Sequence, residues 1–146
     1  MGADASAAEL ARLLEDAGFE ARIDDAIAFA EQNMVLLYRH TDTGIEIDLT
    51  LACLPFEEEA IANARPIEVE GVELPVATVE DLLVYKAVAF REHDQRDIRA
   101  LVMLHRDEID FERVLRIVGQ FAEALEEPDR VGELERLLND AVDRDA

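Results

Sequence analysis

Strict alternation of apolar and polar residues over residues 45–52 constrains the fold most strongly, because it fixes both the conformation and the two faces of that segment. An apolar run over residues 34–40 precedes it, and the Thr-Asp-Thr-Gly sequence of residues 41–44 has turn composition. The sequence therefore predicts a β-hairpin. Its second strand places one set of side chains on the apolar face (Ile45, Ile47, Leu49 and Leu51) and another on the polar face (Glu46, Asp48 and Thr50).

The remaining elements of the first half follow from caps and turns. Ser6 with Glu9 forms a capping-box pattern for a helix that stops at Gly18. We expect a short extended piece over residues 19–23 and a brief helix or turn, capped by Asp24 or Asp25, through Ala30. A helix over residues 55–64 and a second hairpin over residues 67–74, turning at Glu70 and Gly71, complete this half.

The second half is predicted to be helical. Thr78 caps a helix over residues 79–90, a second helix covers about 94–105, Asp110 caps a third over 111–125, and Pro128 opens a last one over 131–142. The order predicts an α+β fold with a small antiparallel or mixed sheet of two hairpins and a C-terminal helical bundle. We expect a single domain over residues 1–146, with sheet and first helix in about 1–77 and the helical part in about 78–146.

The net charge of −21 narrows the classes of partner. It disfavours non-specific binding to nucleic acid or to anionic membrane, because both are polyanions. Two interpretations of this charge stay open: a salt-adapted or simply acidic, highly soluble surface, and an attraction for divalent cations. The single cysteine, Cys53, lies in an apolar stretch and is predicted to be a small core residue. With no signal peptide and no apolar run long enough to span a bilayer, we expect a cytoplasmic protein.

Lys86 is the only lysine of the chain, and it lies within a predicted helix rich in apolar residues. If that helix runs unbroken, Lys86, His93 and Asp97 share one edge of it. Lys86 could then neutralise phosphate oxygens, or form a structural salt bridge with Asp94 or Asp97. If the helix instead breaks near residues 91–93, Asp94 is an N-cap and the alignment is partly lost.

Asp48 is the other candidate for chemistry. It lies on the polar face of a strand, two residues from Glu46, and carboxylates are the protein ligands that Mg²⁺ prefers. The alternative is a solvent-facing carboxylate on a half-buried strand, which the alternation predicts without any chemistry.

Two segments resemble the nucleotidyltransferases of the polymerase-beta type. Residues 44–49, GIEIDL, are similar to the strand that carries the third metal-binding carboxylate of these enzymes. Residues 74–101, LPVATVEDLLVYKAVAFREHDQRDIRAL, resemble the helical block of the branch that includes abortive-infection and toxin–antitoxin nucleotidyltransferases. With the order of helix and hairpins, the resemblance covers nearly the whole chain and implies a truncated nucleotidyltransferase fold.

The resemblance also implies roles for individual residues. Asp48 corresponds to the third catalytic, metal-binding carboxylate, and Lys86 to the catalytic lysine that faces the nucleotide phosphates. Arg91, Asp94 and Asp97 belong to the polar block that follows and are implied to bind substrate. Members of the family transfer a nucleotidyl group from a nucleoside triphosphate with two Mg²⁺ ions, so Mg²⁺ is the implied cofactor.

The sequence departs from the family pattern in its first part. It has neither the Gly-Gly or Gly-Ser turn nor the Asp-x-Asp strand that holds the first two carboxylates. We therefore expect a truncated or divergent member that is catalytically incomplete. Two alternatives stay open: an interaction module that binds a partner protein or a second copy at an open sheet edge, and a subunit that completes a split nucleotidyltransferase site.

Overall fold

The structure, a computed structural model, describes residues 6–143. Contacts between residues divide the chain into two compact units, one ending at Glu58 and the other beginning at Glu59. The described residues form helices and two small antiparallel sheets, with the longest helices in the C-terminal part. The predicted α+β fold is confirmed.

The first unit consists of two helices and a three-stranded sheet. Its elements are α1 (Ala7–Asp16), β1 (Phe19–Ala21), α2 (Ala26–Asn33), β2 (Val35–His40) and β3 (Glu46–Thr50). The helix α3 (Pro55–Asn63) contains the boundary between the units. The predicted β2–β3 hairpin is confirmed, and the short β1 joins it to give the antiparallel order β1-β2-β3.

Local signals in the sequence start α1 and set its core. Ser6 donates its backbone N–H to Glu9 Oε2 at 3.0 Å, and Ser6 Oγ accepts the Glu9 backbone N–H at 3.3 Å, so the predicted capping box is present. Leu36 and Tyr38 of β2 form the centre of the core beneath three buried alanines of α1 and α2 (Ala11, Ala26 and Ala30). Alanine at these positions lets both helices approach the sheet closely.

Two predictions for the first unit require correction. Asp25 occupies the N-cap position of α2 in a left-handed conformation with φ 52°, and its side chain makes no capping hydrogen bond. Cys53 is exposed and is not a core residue. The reason is that β3 ends at Thr50, after which the alternation no longer directs side chains inward; the Cys53 backbone N–H instead donates to Glu57 Oε2 at 2.8 Å.

The second unit contains a β-ribbon followed by four helices. Its elements are β4 (Arg65–Val69), β5 (Val72–Val76), α4 (Val79–Ala89), α5 (Glu92–His105), α6 (Phe111–Ala124) and α7 (Arg130–Asp143). The ribbon turns at Glu70 and Gly71, which both have positive φ, as the tight turn of a two-residue hairpin requires. The second predicted hairpin is therefore confirmed.

Apolar packing and one buried ion pair organise the helices of this unit. The core contains fully buried side chains from every helix (Leu83, Val84, Ile98, Val102, Val114, Val118 and Leu134). Asp81 is also fully buried, with its carboxylate 2.8 Å from Arg113 Nη2. Thr78 Oγ1 donates to Asp81 Oδ2 at 2.8 Å and accepts the Asp81 backbone N–H at 3.2 Å, so the predicted Thr78 cap also fixes the buried acid.

We expect Asp110→Ala to destabilise the protein by about 1 kcal/mol, because Asp110 Oδ1 accepts the Arg113 backbone N–H at 2.9 Å and so caps α6. Chemical denaturation followed by circular dichroism measures the change in the free energy of unfolding. Asp107→Ala, which alters an almost fully exposed acid in the preceding turn, is the matched control. Equal unfolding curves for the two variants would contradict the assignment of this cap.

Candidate functional site

Asp48 lies on the outer face of the three-stranded sheet. Glu46 and Asp48 alternate along β3 with Ile47 and Leu49, which pack against the core. In the strand register Asp48 is opposite Leu37 of β2, and Glu46 is opposite Arg39. The Asp48 side chain is 64% exposed, so this carboxylate is accessible from solvent.

An arginine that the sequence analysis did not identify holds both carboxylates. Arg22 follows β1 and donates its backbone N–H to the Leu37 carbonyl oxygen at 3.0 Å. Its guanidinium donates from Nη1 to Glu46 Oε2 at 2.6 Å and from Nη2 to Asp48 Oδ1 at 2.5 Å. Arg39 Nη2 donates to Glu46 Oε1 at 2.7 Å. The hydrogen bonds from Arg39 and Arg22 lower the pKa of Glu46.

These residues do not by themselves fit a magnesium centre. Mg²⁺ takes an octahedral set of oxygens and needs carboxylates whose lone pairs are available. Among the described residues there is no group of three or more His, Cys, Asp or Glu side chains that could hold a metal ion. Glu46 and Asp48 supply two carboxylates, and the nearest cation to each is a guanidinium. A metal-binding role for Asp48 stays a prediction.

The segment around Lys86 is not one continuous helix. α4 ends at Ala89; its C-cap, Phe90, has a left-handed conformation with φ 49° and donates its N–H to the Lys86 carbonyl oxygen at 2.8 Å. Arg91 is extended and is the N-cap of α5. The Phe90 ring is held by the guanidinium of Arg130, 4.6 Å from the ring centroid. Of the two alternatives, the break near residues 91–93 is therefore confirmed, and Lys86 does not share one continuous helix with His93 and Asp97.

The break brings Lys86 against the acids of the next helix. Lys86 Nζ donates to Asp97 Oδ2 at 2.6 Å and lies 3.7 Å from Asp94 Oδ1. Of the alternatives left open by the sequence, a salt bridge of Lys86 with these acids is confirmed. Asp94 is not the N-cap: it lies three residues after Arg91, and its Oδ2 accepts the Arg91 backbone N–H at 3.1 Å. We call residues 86–97 the α4–α5 elbow.

Asp94 is the centre of the elbow. Asp94 is only 2% exposed. Its carboxylate accepts a hydrogen bond from Arg91 Nε at 2.7 Å and lies 3.5 Å from His93 Nε2. The hydrogen bond from the Arg91 side chain lowers the pKa of Asp94, against the opposing effect of burial. A buried, ionised carboxylate thus keeps Lys86 and Arg91 close together.

The structure therefore brings together four of the five predicted site residues. Lys86, Arg91, Asp94 and Asp97 form the elbow in the second unit, and Asp48 belongs to the first. Arg22 was missed although the alternation of residues 19–23 places Glu20 and Arg22 on one polar face. The local pattern does not reveal which strand lies beside β1, so it could not identify the acids that Arg22 meets.

A family model described as "Nucleotidyl transferase of unknown function (DUF2204)" matches residues 25–138. The chain belongs to this family of nucleotidyl transferases. The matched range contains both β3 with Asp48 and the entire elbow. A comparison with curated proteins gave no match. No helix in the described part of the chain is long and apolar enough to cross a membrane.

We expect Asp94→Asn to destabilise this family member by about 1.5–3 kcal/mol at neutral pH, since it weakens charge-assisted hydrogen bonds at a buried position. The folded-state pKa of Asp94 is depressed below its ordinary value of 3.8. Its contribution is therefore present above that value and is lost as pH falls through the folded-state pKa. Denaturant unfolding at pH 7 and at stepwise lower pH measures this difference.

Asp97→Asn is the control for this prediction. The Asp97 side chain is 50% exposed, so its ion pair contributes less than about 1 kcal/mol. A stability loss for Asp94→Asn that does not shrink below pH 4, or that Asp97→Asn matches in size, would contradict the central place of Asp94.

Proposed function

We propose that the chain binds a nucleoside triphosphate at the α4–α5 elbow and is catalytically incomplete as a nucleotidyltransferase within the residues described. The cluster around Asp94 is the observation that carries this proposal. It holds two cationic side chains, Lys86 and Arg91, against one buried carboxylate. By the resemblance, Lys86 corresponds to the lysine that faces the nucleotide phosphates, and Arg91 belongs to the polar block that follows it. On the same helical segment, residues 74–101, we place the chain in the abortive-infection and toxin–antitoxin branch.

The two acids of the elbow differ in how easily a ligand replaces them. Asp94 is buried and accepts hydrogen bonds from Arg91, so its displacement would leave an unpaired buried charge. Asp97 is half-exposed, and an exposed ion pair contributes little. A phosphate oxygen can therefore take the place of Asp97 beside Lys86 Nζ while Asp94 keeps the lysine oriented. Arg91, whose side chain is 65% exposed, offers further N–H donors to the same anion.

Transfer chemistry needs more than this elbow. A two-metal centre stabilises the attacking and the leaving oxygens, and it requires several free carboxylates. Asp48 and Glu46 are both paired with arginine. We therefore propose that Mg²⁺ reaches the elbow as part of the magnesium–nucleotide complex. Catalysis would then require carboxylates from outside residues 6–143, such as those of a subunit that completes a split site.

Isothermal titration with ATP, in the presence and absence of Mg²⁺, tests the proposal. We expect Lys86→Ala to weaken binding by about tenfold, the loss of one charge-assisted contact. Asp97→Asn is expected to tighten binding by about two- to fivefold, because it removes the anion that competes for Lys86. A purely structural salt bridge predicts no such gain.

Arg91→Ala has a matched control in Arg136→Ala, which removes an exposed arginine of α7. We expect the first to weaken ATP binding and the second to leave it unchanged. Circular dichroism must show that each variant is folded. Equal affinity of wild type, Lys86→Ala and Asp97→Asn for ATP would refute nucleotide binding at the elbow and leave the cluster a structural role.

Association through the edge of the sheet is a second candidate function. Within the described chain, β3 pairs with β2 on one side only. Because Leu51 N–H and Ile45 C=O point towards β2, the backbone groups of Glu46, Asp48 and Thr50 point to the other edge. Such an edge can accept a strand from a partner protein or a second copy. Light scattering over a range of concentrations tests self-association: an oligomer that Thr50→Pro dissociates supports it, and a monomer throughout contradicts it.

A further inference from the structure

On the outer face of β3, the side chain of Arg22 lies where a metal-dependent transferase would need an exchangeable metal ion. Glu46 and Asp48 are two residues apart on one face of the strand, so both carboxylates project to the same side. Arg22 reaches them with its two terminal nitrogens, at 2.6 Å and 2.5 Å. The rigid, planar fork of a guanidinium suits such a double contact. We call these three side chains the Arg22 bridge.

Arg22 is part of the fold rather than a loosely held counter-ion. Its side chain is 19% exposed, against 64% for Asp48. The Arg22 Nε atom is buried without a hydrogen-bond partner, so the side chain is held in place by its two terminal contacts and by packing. The arginine thus covers the sheet, whereas the two carboxylates face solvent.

We propose that Arg22 is a built-in cation that occupies the Glu46–Asp48 pair and excludes a divalent metal ion from it. A dication at this pair would have to displace the guanidinium. That would leave the largely buried guanidinium unpaired beside the doubly charged metal ion, and an unpaired buried charge is strongly unfavourable. Arg39, which also binds Glu46, adds to the repulsion. Asp48 resembles the metal-binding carboxylate of the family strand in its sequence position. The bridge explains why it nevertheless offers no free metal ligand.

Removal of the arginine should expose the site that it fills. Mn²⁺ titration, followed by electron paramagnetic resonance of the free ion, measures binding to the purified chain without nucleotide. We expect wild type and Asp48→Asn to give the same weak, non-specific binding to the acidic surface. Arg22→Gln is expected to gain one site at least about tenfold tighter than that background, and the double variant Arg22→Gln/Asp48→Asn to lose it again.

Two further variants make the result decisive. Arg39→Gln removes an arginine that hydrogen-bonds to Glu46 and leaves Arg22 in place, so we expect no new site. Arg22→Lys keeps a positive charge but lacks the fork, and we expect an intermediate gain; it replaces Arg22→Gln as the test if circular dichroism shows that the glutamine variant does not fold.

Two outcomes would overturn the proposal. One is a specific Mn²⁺ site in the wild type that Asp48→Asn abolishes. The other is a folded Arg22→Gln or Arg22→Lys variant without any gain that depends on Asp48. Neither outcome bears on the α4–α5 elbow, because the titration contains no nucleotide and the elbow residues are unchanged.

Discussion

A scarcity of cations is the physical constraint on which this structure depends. The chain has 35 acidic and 14 basic side chains besides its histidines, and a carboxylate that is even partly sheltered needs a positive partner. The recurring solution is one cation between two carboxylates. It is formed by Arg22 with Glu46 and Asp48, Lys86 with Asp94 and Asp97, Arg113 with Glu59 and Asp81, and Arg130 with Glu127 and Glu133. The groups around Arg22, Lys86 and Arg113 each join different elements of the fold, whereas both acids of the Arg130 group lie three residues from the arginine.

How exposed the members of each group are determines what the group can do. Around Arg113, the Asp81 carboxylate is fully buried, and the group is a structural ion pair inside the second unit. Around Lys86, one acid is buried and the other is half-exposed, so a solvent-borne anion can compete for the lysine. Around Arg22, the cation is sheltered and the acids are exposed. The same ionic motif thus gives a structural contact around Arg113 and, on our proposals, an anion site around Lys86 and a blocked cation site around Arg22.

Sequence patterns predicted the elements that depend on near neighbours. The capping box at Ser6, the caps at Thr78 and Asp110, and both hairpins are encoded within a few residues of each turn or helix start. The division into two helices, over 79–90 and about 94–105, was predicted and is confirmed; the left-handed conformation of Phe90 was not predicted, because a non-glycine residue in that conformation has no strong local signal. The partners of Arg22 depend on the pairing of β1 with β2 and of β2 with β3, which brings Arg22 to acids 24 and 26 positions away in the sequence.

Taken together, the two proposals describe a member of a transferase family that binds nucleotide at the elbow but lacks free metal-binding carboxylates on β3. Phosphate recognition needs cations that are held in place yet able to bind another anion: Lys86 is held by buried Asp94 and shares a half-exposed partner, Asp97, whereas Arg91 is held by Asp94 and is 65% exposed. Metal-assisted transfer needs carboxylates whose lone pairs are free to bind a metal ion. On β3, both carboxylates accept hydrogen bonds from Arg22. On these proposals, a single arginine after β1 separates nucleotide recognition from transfer chemistry in this chain.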